Sequence, residues 1–237
     1  MAAELPKGAS ILIPVLRQQA FPVPDLFYVL NKLKINEVKE AEFDETAVKS
    51  IVTLIEKINK YHFLTFQHSL NVSLLSYLLA AKLKLSHNEL VKITLGALLH
   101  DIGKIYTPTA ILDKPSKLTH TEWELVKLHP KNGMLALTKY PWASNILPIV
   151  GQHHEKMDGT GYYGMNRDQI SLGAKIISIA DAFDAMISAR PYQKKRSLKD
   201  CFNELKNNSN IQFDSYLVNK FIEIICMEKP FKKYSHH

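Results

Sequence analysis

Two adjacent pairs of residues combine side chains that commonly bind metal ions. His100-Asp101 follows an apolar, helix-forming stretch, and His153-His154 ends a second predicted helix. Side chains that leave the same helix end can reach one metal cluster, and the two oxygens of a carboxylate can bridge two cations. The two pairs therefore predict a metal centre that is assembled from helix ends.

Polar side chains inside apolar helices are further candidates. His68 interrupts a leucine-rich helix, Asp181 lies in the apolar stretch Ile176–Phe183, and Glu155 and Asp158 follow the second histidine pair closely. A buried carboxylate is costly unless it is paired or binds a metal. A single histidine on an apolar helix is more often a hydrogen-bonded core residue, but the combination with two histidine-containing pairs favours metal binding. Imidazole and oxygen ligands without thiolates favour Fe, Mn or Zn, and Mg is less favoured because imidazole dominates.

The chain from Asp44 onward has the apolar periodicity of helices. Helix-capping residues occur at Asp44, Ser86, Thr119, Ser171, Ser197 and Asp214. The predicted helices cover about 44–60, 64–83, 86–100, 120–139, 144–154 and 171–189, with two more that begin after 197 and 214 and the last reaching about 227. Gly103–Leu118 is expected to be a long loop, and Trp123 and Trp142 are expected to pack against other side chains. The pattern predicts an all-α bundle of about seven or eight helices.

The 237 residues suit one large domain with a small addition. Residues 1–43 are interpreted as a small N-terminal element of uncertain fold, in which Ala9–Leu16 is a candidate short strand. Residues 44–228 are predicted to form the helical domain, and residues 229–237 a basic C-terminal tail.

The charge and the apolar runs restrict the partners. The chain has 30 Lys and Arg residues against 23 Asp and Glu residues, and the net charge of +7 favours an anionic ligand. No specific nucleic-acid partner is expected, because no stacking platform or groove-reading element accompanies the basic residues. The apolar runs are too short to insert into a membrane. Two cysteines without a CxxC spacing indicate a reduced, cytoplasmic compartment.

Two motifs identify a similar family. Residues 100–104 read His-Asp-Ile-Gly-Lys and match the HDxGK motif of the HD metal-dependent phosphohydrolases. Residues 153–162 match the HHExxDGxGY motif of the HD-GYP subfamily. Further matching blocks occur in the family's order at residues 68–69, 114–119, 129–133, 181–186 and 190–192. Over roughly residues 60–225 the chain therefore resembles the HD-GYP domain family, whose fold is an HD-domain helical bundle.

The resemblance implies a phosphodiesterase that hydrolyses cyclic di-GMP, a bacterial second messenger, to linear pGpG and often onward to GMP. It implies two divalent cations, with Fe or Mn expected, and a hydroxide shared between them as the nucleophile. One cation would be held by His68, His100, Asp101 and Asp181, and Asp101 would bridge to a second that is held by His129, His153 and His154. Asp101 and Lys104 would act in catalysis, and Lys104 and Arg190 would contact the substrate. Two further candidate substrate contacts are Tyr162 and Lys194, the latter because it follows Arg190 closely.

Three positions depart from the family pattern. Tyr163 replaces the proline of the GYP signature, so the partnership with diguanylate cyclase domains known in the family is in doubt. Leu64 stands where some members have a glutamate that binds a third metal, and two metals are therefore predicted. Gln193 occupies a position that is often basic, although Lys194 and Lys195 adjoin it.

Two alternatives to cyclic di-GMP hydrolysis remain open. One is a catalytically weak module that binds a cyclic dinucleotide or a protein partner and signals by conformation. The other is a phosphodiesterase for another cyclic dinucleotide, such as a hybrid cyclic GMP-AMP. All seven family ligand positions are filled, which favours an active enzyme.

Overall fold

A computed structural model of the protein describes residues 44–188 and 196–227. The α-helices within these ranges are α1 (Glu45–Tyr61), α2 (Phe63–Lys82), α3 (His87–Leu99), α4 (Thr109–Leu112), α5 (His120–Lys127), α6 (His129–Leu137), α7 (Leu147–Gln152), α8 (Leu172–Ile187), α9 (Leu198–Asn207) and α10 (Ser215–Met227). Two 3₁₀ helices cover Ile102–Tyr106 and Pro141–Ile146. The predicted all-α class is confirmed. None of the helices in the described ranges has the length and apolarity that a membrane crossing requires.

The capping residues identified in the sequence begin the helices as predicted. Asp44 accepts a hydrogen bond from the backbone N–H of Ala47 at 2.7 Å, and Thr119 forms a reciprocal capping box with Glu122. The remaining caps, at Ser86, Ser171, Ser197 and Asp214, each accept a hydrogen bond from the backbone N–H three residues later. The starts of these helices are therefore determined locally.

Two predicted segments differ from the structure. The expected loop Gly103–Leu118 contains most of the first 3₁₀ helix and all of α4. The 3₁₀ helix packs closely on α6, and a Cβ atom at Gly103 would collide with the carbonyl oxygen of His129. The helix expected over 144–154 is instead a 3₁₀ helix followed by α7. Pro148 lies in the first turn of α7, and its missing N–H explains why one α-helix does not run through this segment.

The buried helix α3 lies in the centre of the bundle. Its apolar side chains belong to two core clusters, one shared with α2, α8 and α10, and the other shared with α1, α2 and α7. Because α3 is buried, the residues that follow its last turn also lie in the interior. Trp142 packs in the core, whereas 45% of the surface of Trp123 is exposed.

The predicted N-terminal element 1–43 and the C-terminal tail 229–237 lie outside the described residues. The domain boundaries at residues 44 and 228 therefore stay predictions.

Candidate metal centre

The end of α3 carries the first half of the centre. His100 and Asp101 are each only 1% exposed. The ring of His100 donates its Nδ1–H to the carbonyl oxygen of Ala97 at 2.6 Å, because the last carbonyls of a helix lack intrahelical partners. This hydrogen bond leaves Nε2 of His100 directed at the cluster, with a lone pair for a metal.

Two further histidines are oriented by the same kind of bond. His129 donates Nδ1–H to the carbonyl of Val126, and His153 donates Nδ1–H to the carbonyl of Val150, both at 2.7 Å. In each case the acceptor lies three residues earlier, near the end of the preceding helical segment. Their Nε2 atoms lie 3.1 Å apart.

Asp101 lies between two groups of metal-binding side chains. Its Oδ2 is 3.3 Å from Nε2 of His100 and 3.8 Å from Nε2 of His68, whereas its Oδ1 is 3.3 Å from Nε2 of His129. The two groups, each with ligand atoms within 4.8 Å of one another, are His68, His100 and Asp101, and His129, His153 and His154. One carboxylate oxygen therefore faces each group, which is the arrangement of a bridging ligand.

Helix α8 supplies the remaining carboxylate. Oδ1 of Asp181 is 3.0 Å from Nε2 of His68, and its Oδ2 is 4.0 Å from Nδ1 of His154. All seven ligand positions inferred from the sequence are thus brought together, although they come from five different helical segments and their connections.

The residues of this centre fit metal ions. Nε2 of His100 and Oδ1 of Asp101 are buried and have no hydrogen-bond partner among the described residues. Burying such atoms without a partner costs about 1–3 kcal/mol each. His129 and His153 each donate Nδ1–H to a carbonyl, so in the neutral rings both Nε2 atoms carry lone pairs. These two lone pairs face each other. A cation beside them satisfies both atoms.

Burial and charge set the protonation of the groups. Burial lowers the pKa of His129 to about 3 and that of His154 to about 4, and it holds the pKa of His153 well below its usual range. Burial also opposes protonation of His68, but hydrogen bonds to Asp181 and Asp184 outweigh it and raise the pKa of His68 to about 9. Three of the histidines are therefore neutral at pH 7, which is the form that binds metals.

Both carboxylates of the centre are ionised. Burial raises the pKa of Asp101, but the positive charge of Lys104 and the interactions with His100 outweigh it and hold the pKa well below its usual range. The pKa of Asp181 is also held well below its usual range, because the hydrogen bond from His68 outweighs burial. The centre thus provides two negative charges to cations.

The predicted substrate contacts Lys104 and Tyr162 lie beside the centre. Nζ of Lys104 donates a 2.6 Å hydrogen bond to Oδ2 of Asp101, and the Lys104 side chain is 23% exposed. The ring centre of Tyr162 lies 4.6 Å from that of His154 and 6.3 Å from that of Trp123. The other two predicted contacts, Arg190 and Lys194, lie outside the described residues.

Glu155 holds the loop that carries Tyr162. It is only 3% exposed, and its two oxygens accept the backbone N–H groups of Tyr163 at 2.7 Å and Met165 at 2.8 Å. A Cβ atom at Gly161 would lie 2.5 Å from Cα of Glu155, so only glycine fits there. The two acidic residues that follow the histidine pair are therefore not in the ligand groups. Glu155 binds the loop. Asp158 is exposed and accepts hydrogen bonds from the backbone N–H and the hydroxyl of Thr160.

Two residues near the centre were missed by the sequence reasoning. Asp184 is 1% exposed and accepts a 2.6 Å hydrogen bond from Nδ1 of His68. Its spacing of three residues from Asp181 in an apolar helix is a signal that could have identified it. Trp123 lies at the solvent-exposed rim of the candidate metal centre, with its ring centre 6.3 Å from that of Tyr162.

A family model described as HD domain matches residues 52–217. The chain belongs to the HD domain family. In this HD domain protein the matched range contains all seven candidate ligands. The resemblance inferred from the HDxGK and HHExxDGxGY motifs is confirmed, and HD domain phosphohydrolases are metal-dependent enzymes.

Curated relatives of this HD domain include phosphodiesterases. The chain is 36% identical over 191 residues to 3'3'-cGAMP-specific phosphodiesterase 3 of Vibrio cholerae serotype O1, covering 73% of this chain and 42% of the relative. It is 37% identical over 163 residues to a cyclic di-GMP phosphodiesterase of Pseudomonas aeruginosa, covering 68% of this chain and 39% of the relative. The chain thus spans about two fifths of the length of these relatives.

A solved structure has the same fold. An HDG"Y"P protein from Bdellovibrio bacteriovorus superimposes with a TM-score of 0.61, covering 91% of this chain and 77% of that chain. The sequence identity is 21%, so this likeness concerns the helical architecture alone.

Proposed function

We propose that this HD domain is a metal-dependent phosphodiesterase that hydrolyses cyclic di-GMP to pGpG, with GMP as the product of further cleavage. The observation that carries the proposal is the position of Asp101 between two ligand groups. Oδ1 faces His129 and Oδ2 faces His100, both at 3.3 Å. A carboxylate shared between two histidine-rich groups is suited to a pair of cations, and paired cations are typical of phosphoryl-transfer sites.

In this proposal the centre holds two divalent cations. One cation would be held by His68, His100, Asp101 and Asp181. The other would be held by His129, His153, His154 and Asp101. When bound, such cations supply Lewis acidity, which lowers the pKa of water and polarises a phosphoryl group. Fe or Mn suits a donor set of imidazoles and carboxylates without thiolates.

Lys104 is proposed to contact the phosphoryl group. Its ammonium group lies at the rim, next to Asp101, where a substrate phosphate that approaches the centre can meet it. A fixed positive charge at this point offsets negative charge that develops on the phosphoryl oxygens during hydrolysis.

The rim beside Lys104 offers aromatic surfaces for a base. Tyr162 is partly buried against His154, and Trp123 has its ring edge-on to Tyr162. Aromatic faces near the phosphate site are suited to stacking on the purines of a dinucleotide. Arg190 and Lys194 complete the proposed substrate contacts.

Cyclic GMP-AMP is a second candidate substrate. The relative from Vibrio cholerae, which is 36% identical, is named as specific for 3'3'-cGAMP. Both dinucleotides have two purines and two phosphates, and the ligand groups of the centre do not distinguish between them.

Hydrolysis assays on metal-loaded protein test the proposal. The full chain would be purified anaerobically, its Fe, Mn and Zn content measured, and its activity on cyclic di-GMP, cyclic GMP-AMP and cyclic di-AMP followed by chromatography. We expect linear products from cyclic di-GMP and none from Asp101→Asn. Asp113→Asn is the control, since Asp113 also pairs with a histidine, His62, but not with any member of the centre.

Two results separate the alternatives. Preferred cleavage of cyclic GMP-AMP would favour the second substrate. Tight binding of a dinucleotide without hydrolysis, in protein with a full complement of metal, would favour the weak binding module and contradict the proposal. A partnership with diguanylate cyclase domains and a cytoplasmic location stay predictions.

A further inference from the structure

Asp184 is a buried carboxylate that has no role in the reaction proposed above. It lies on α8, three residues after Asp181, and is 1% exposed. Its Oδ2 accepts a 2.6 Å hydrogen bond from Nδ1 of His68, a residue that is 116 positions away in the sequence. The two aspartates of α8 thus face the two nitrogens of one imidazole, with Asp181 at Nε2 and Asp184 at Nδ1.

His68 differs from the other oriented histidines in its place on a helix. His100, His129 and His153 lie at helix junctions, and each donates Nδ1–H to a backbone carbonyl three residues earlier. His68 lies in the interior of α2, where the preceding carbonyls accept the N–H groups of the next turn. Its ring therefore has no comparable backbone acceptor and needs a side chain to orient it. Asp184 supplies that acceptor.

The other oxygen of Asp184 is also bonded. Oδ1 accepts from Nδ2 of Asn71 at 2.9 Å and from the hydroxyl of Ser188 at 3.3 Å. Asn71 lies one helical turn after His68 on α2, and Ser188 lies one turn after Asp184 at the end of α8. The carboxylate is thus held from both helices, and its rotation is restricted.

We propose that Asp184 is a positioning residue of the metal centre. It accepts the Nδ1 proton of His68, so that Nε2 is the nitrogen that binds the metal shared with His100, Asp101 and Asp181. A carboxylate behind an imidazole ligand fixes its tautomer and raises its basicity. The inference rests on the metal centre in the proposed function, but it does not depend on which dinucleotide is cleaved.

Mn²⁺ binding tests the role of Asp184. The free Mn²⁺ concentration would be measured by electron paramagnetic resonance during titration of the metal-free full chain, its Asp184→Asn variant and Asp113→Asn. Asp113→Asn is a matched control because Asp113 also accepts from a histidine, at 2.9 Å from Nε2 of His62, outside the ligand groups. We expect Asp184→Asn to bind one of two Mn²⁺ ions about 10–100-fold more weakly. The control should bind both as the unmutated protein does.

A positioning role also predicts rescue by metal. High Mn²⁺ concentrations should restore much of the kcat of Asp184→Asn, because all ligands remain, whereas a general loss of structure would not be reversed. Binding of both ions with unchanged affinity by folded Asp184→Asn would overturn the inference. Metal titration does not require turnover, so failure of the proposed reaction would be seen separately in the hydrolysis assay.

A measurement on the unmutated protein covers the case in which the variant does not fold. In Zn²⁺-loaded protein, ¹⁵N NMR of the histidine rings reports which nitrogen of His68 carries the proton. We expect the proton on Nδ1 and the metal on Nε2. A proton on Nε2, or His68 without a metal, would contradict the inference.

Discussion

Nζ of Lys104 lies 2.6 Å from Oδ2 of Asp101, the same oxygen that is 3.3 Å from Nε2 of His100. The ammonium group therefore neutralises part of the charge of the carboxylate that lies between the two ligand groups. It also reaches the rim, since the Lys104 side chain is partly exposed. Lys104 therefore lies both beside the candidate ligands and at the solvent-exposed edge of the centre.

The Lys104→Ala variant should retain its metal and have a lower kcat. The ammonium group is not a metal ligand, and it competes with a cation for Asp101. Removing the Lys104 side chain should therefore not weaken metal binding. The loss of one preorganised charge at a phosphoryl group is expected to lower kcat by about 10²–10³-fold. Metal content and kcat would be measured together, with Lys49→Ala as a control, since Lys49 pairs with Glu45 on the surface of α1. An undiminished kcat at full metal occupancy would remove Lys104 from the reaction.

Asp101→Ala and His129→Ala should differ in metal stoichiometry. Asp101 faces both ligand groups, so its removal should release most of the bound metal and abolish turnover while the bundle stays folded. His129 belongs to one group only, and its removal should lower the stoichiometry from about two toward one. Elemental analysis measures the metal content, and circular dichroism shows whether the bundle stays folded. Equal metal content in both variants would argue against a bridging role for Asp101.

Leu64→Glu should recruit a third cation. Leu64 lies one helical turn before His68 on α2, and 50% of its surface is exposed, so a carboxylate there can stay hydrated. We expect two metals in the unmutated protein and a weak third site in the variant, detected as additional Mn²⁺ bound in a titration. Leu64→Gln has a similar size but no charge and serves as the control. Three fully occupied metals in the unmutated protein would contradict the prediction.

Glu155→Gln should disturb the loop without removing metal. Both oxygens of Glu155 accept backbone N–H groups, and an amide nitrogen in place of one oxygen leaves a partly buried N–H without an acceptor. The expected destabilisation is about 1–3 kcal/mol. We also expect a higher KM at full metal content, because the same loop carries Tyr162 beside His154.

Thermal unfolding, KM and metal content would be measured for Glu155→Gln, with Glu56→Gln as a control, because Glu56 is exposed on α1. A variant with unchanged stability and KM would show that the two backbone hydrogen bonds of Glu155 do not determine the position of Tyr162.

Helix starts and the set of candidate ligands could be read from the sequence because they depend on neighbours along the chain. Asp44 and Thr119 cap helices through atoms three residues away, and this geometry is local. The pairs His100-Asp101 and His153-His154 stand out because they follow apolar helices directly. The apolar surroundings of Asp181 likewise indicate a carboxylate that needs a partner, whatever that partner is.

Contacts between distant segments were decided only by the tertiary structure. The contact of Asp184 with Ser188 at the end of its own helix does not reveal its function, and Asp184 meets His68 because α8 packs on α2. Glu155 adjoins the histidine pair in sequence, yet its carboxylate turns to the amides of the following loop, because these partly buried N–H groups need an acceptor. The 3₁₀ helix after Asp101 depends on the close approach of Gly103 to α6, which no local signal contains. Local capping and periodicity act over a few residues, whereas hydrogen bonds between packed helices depend on the geometry of the whole bundle.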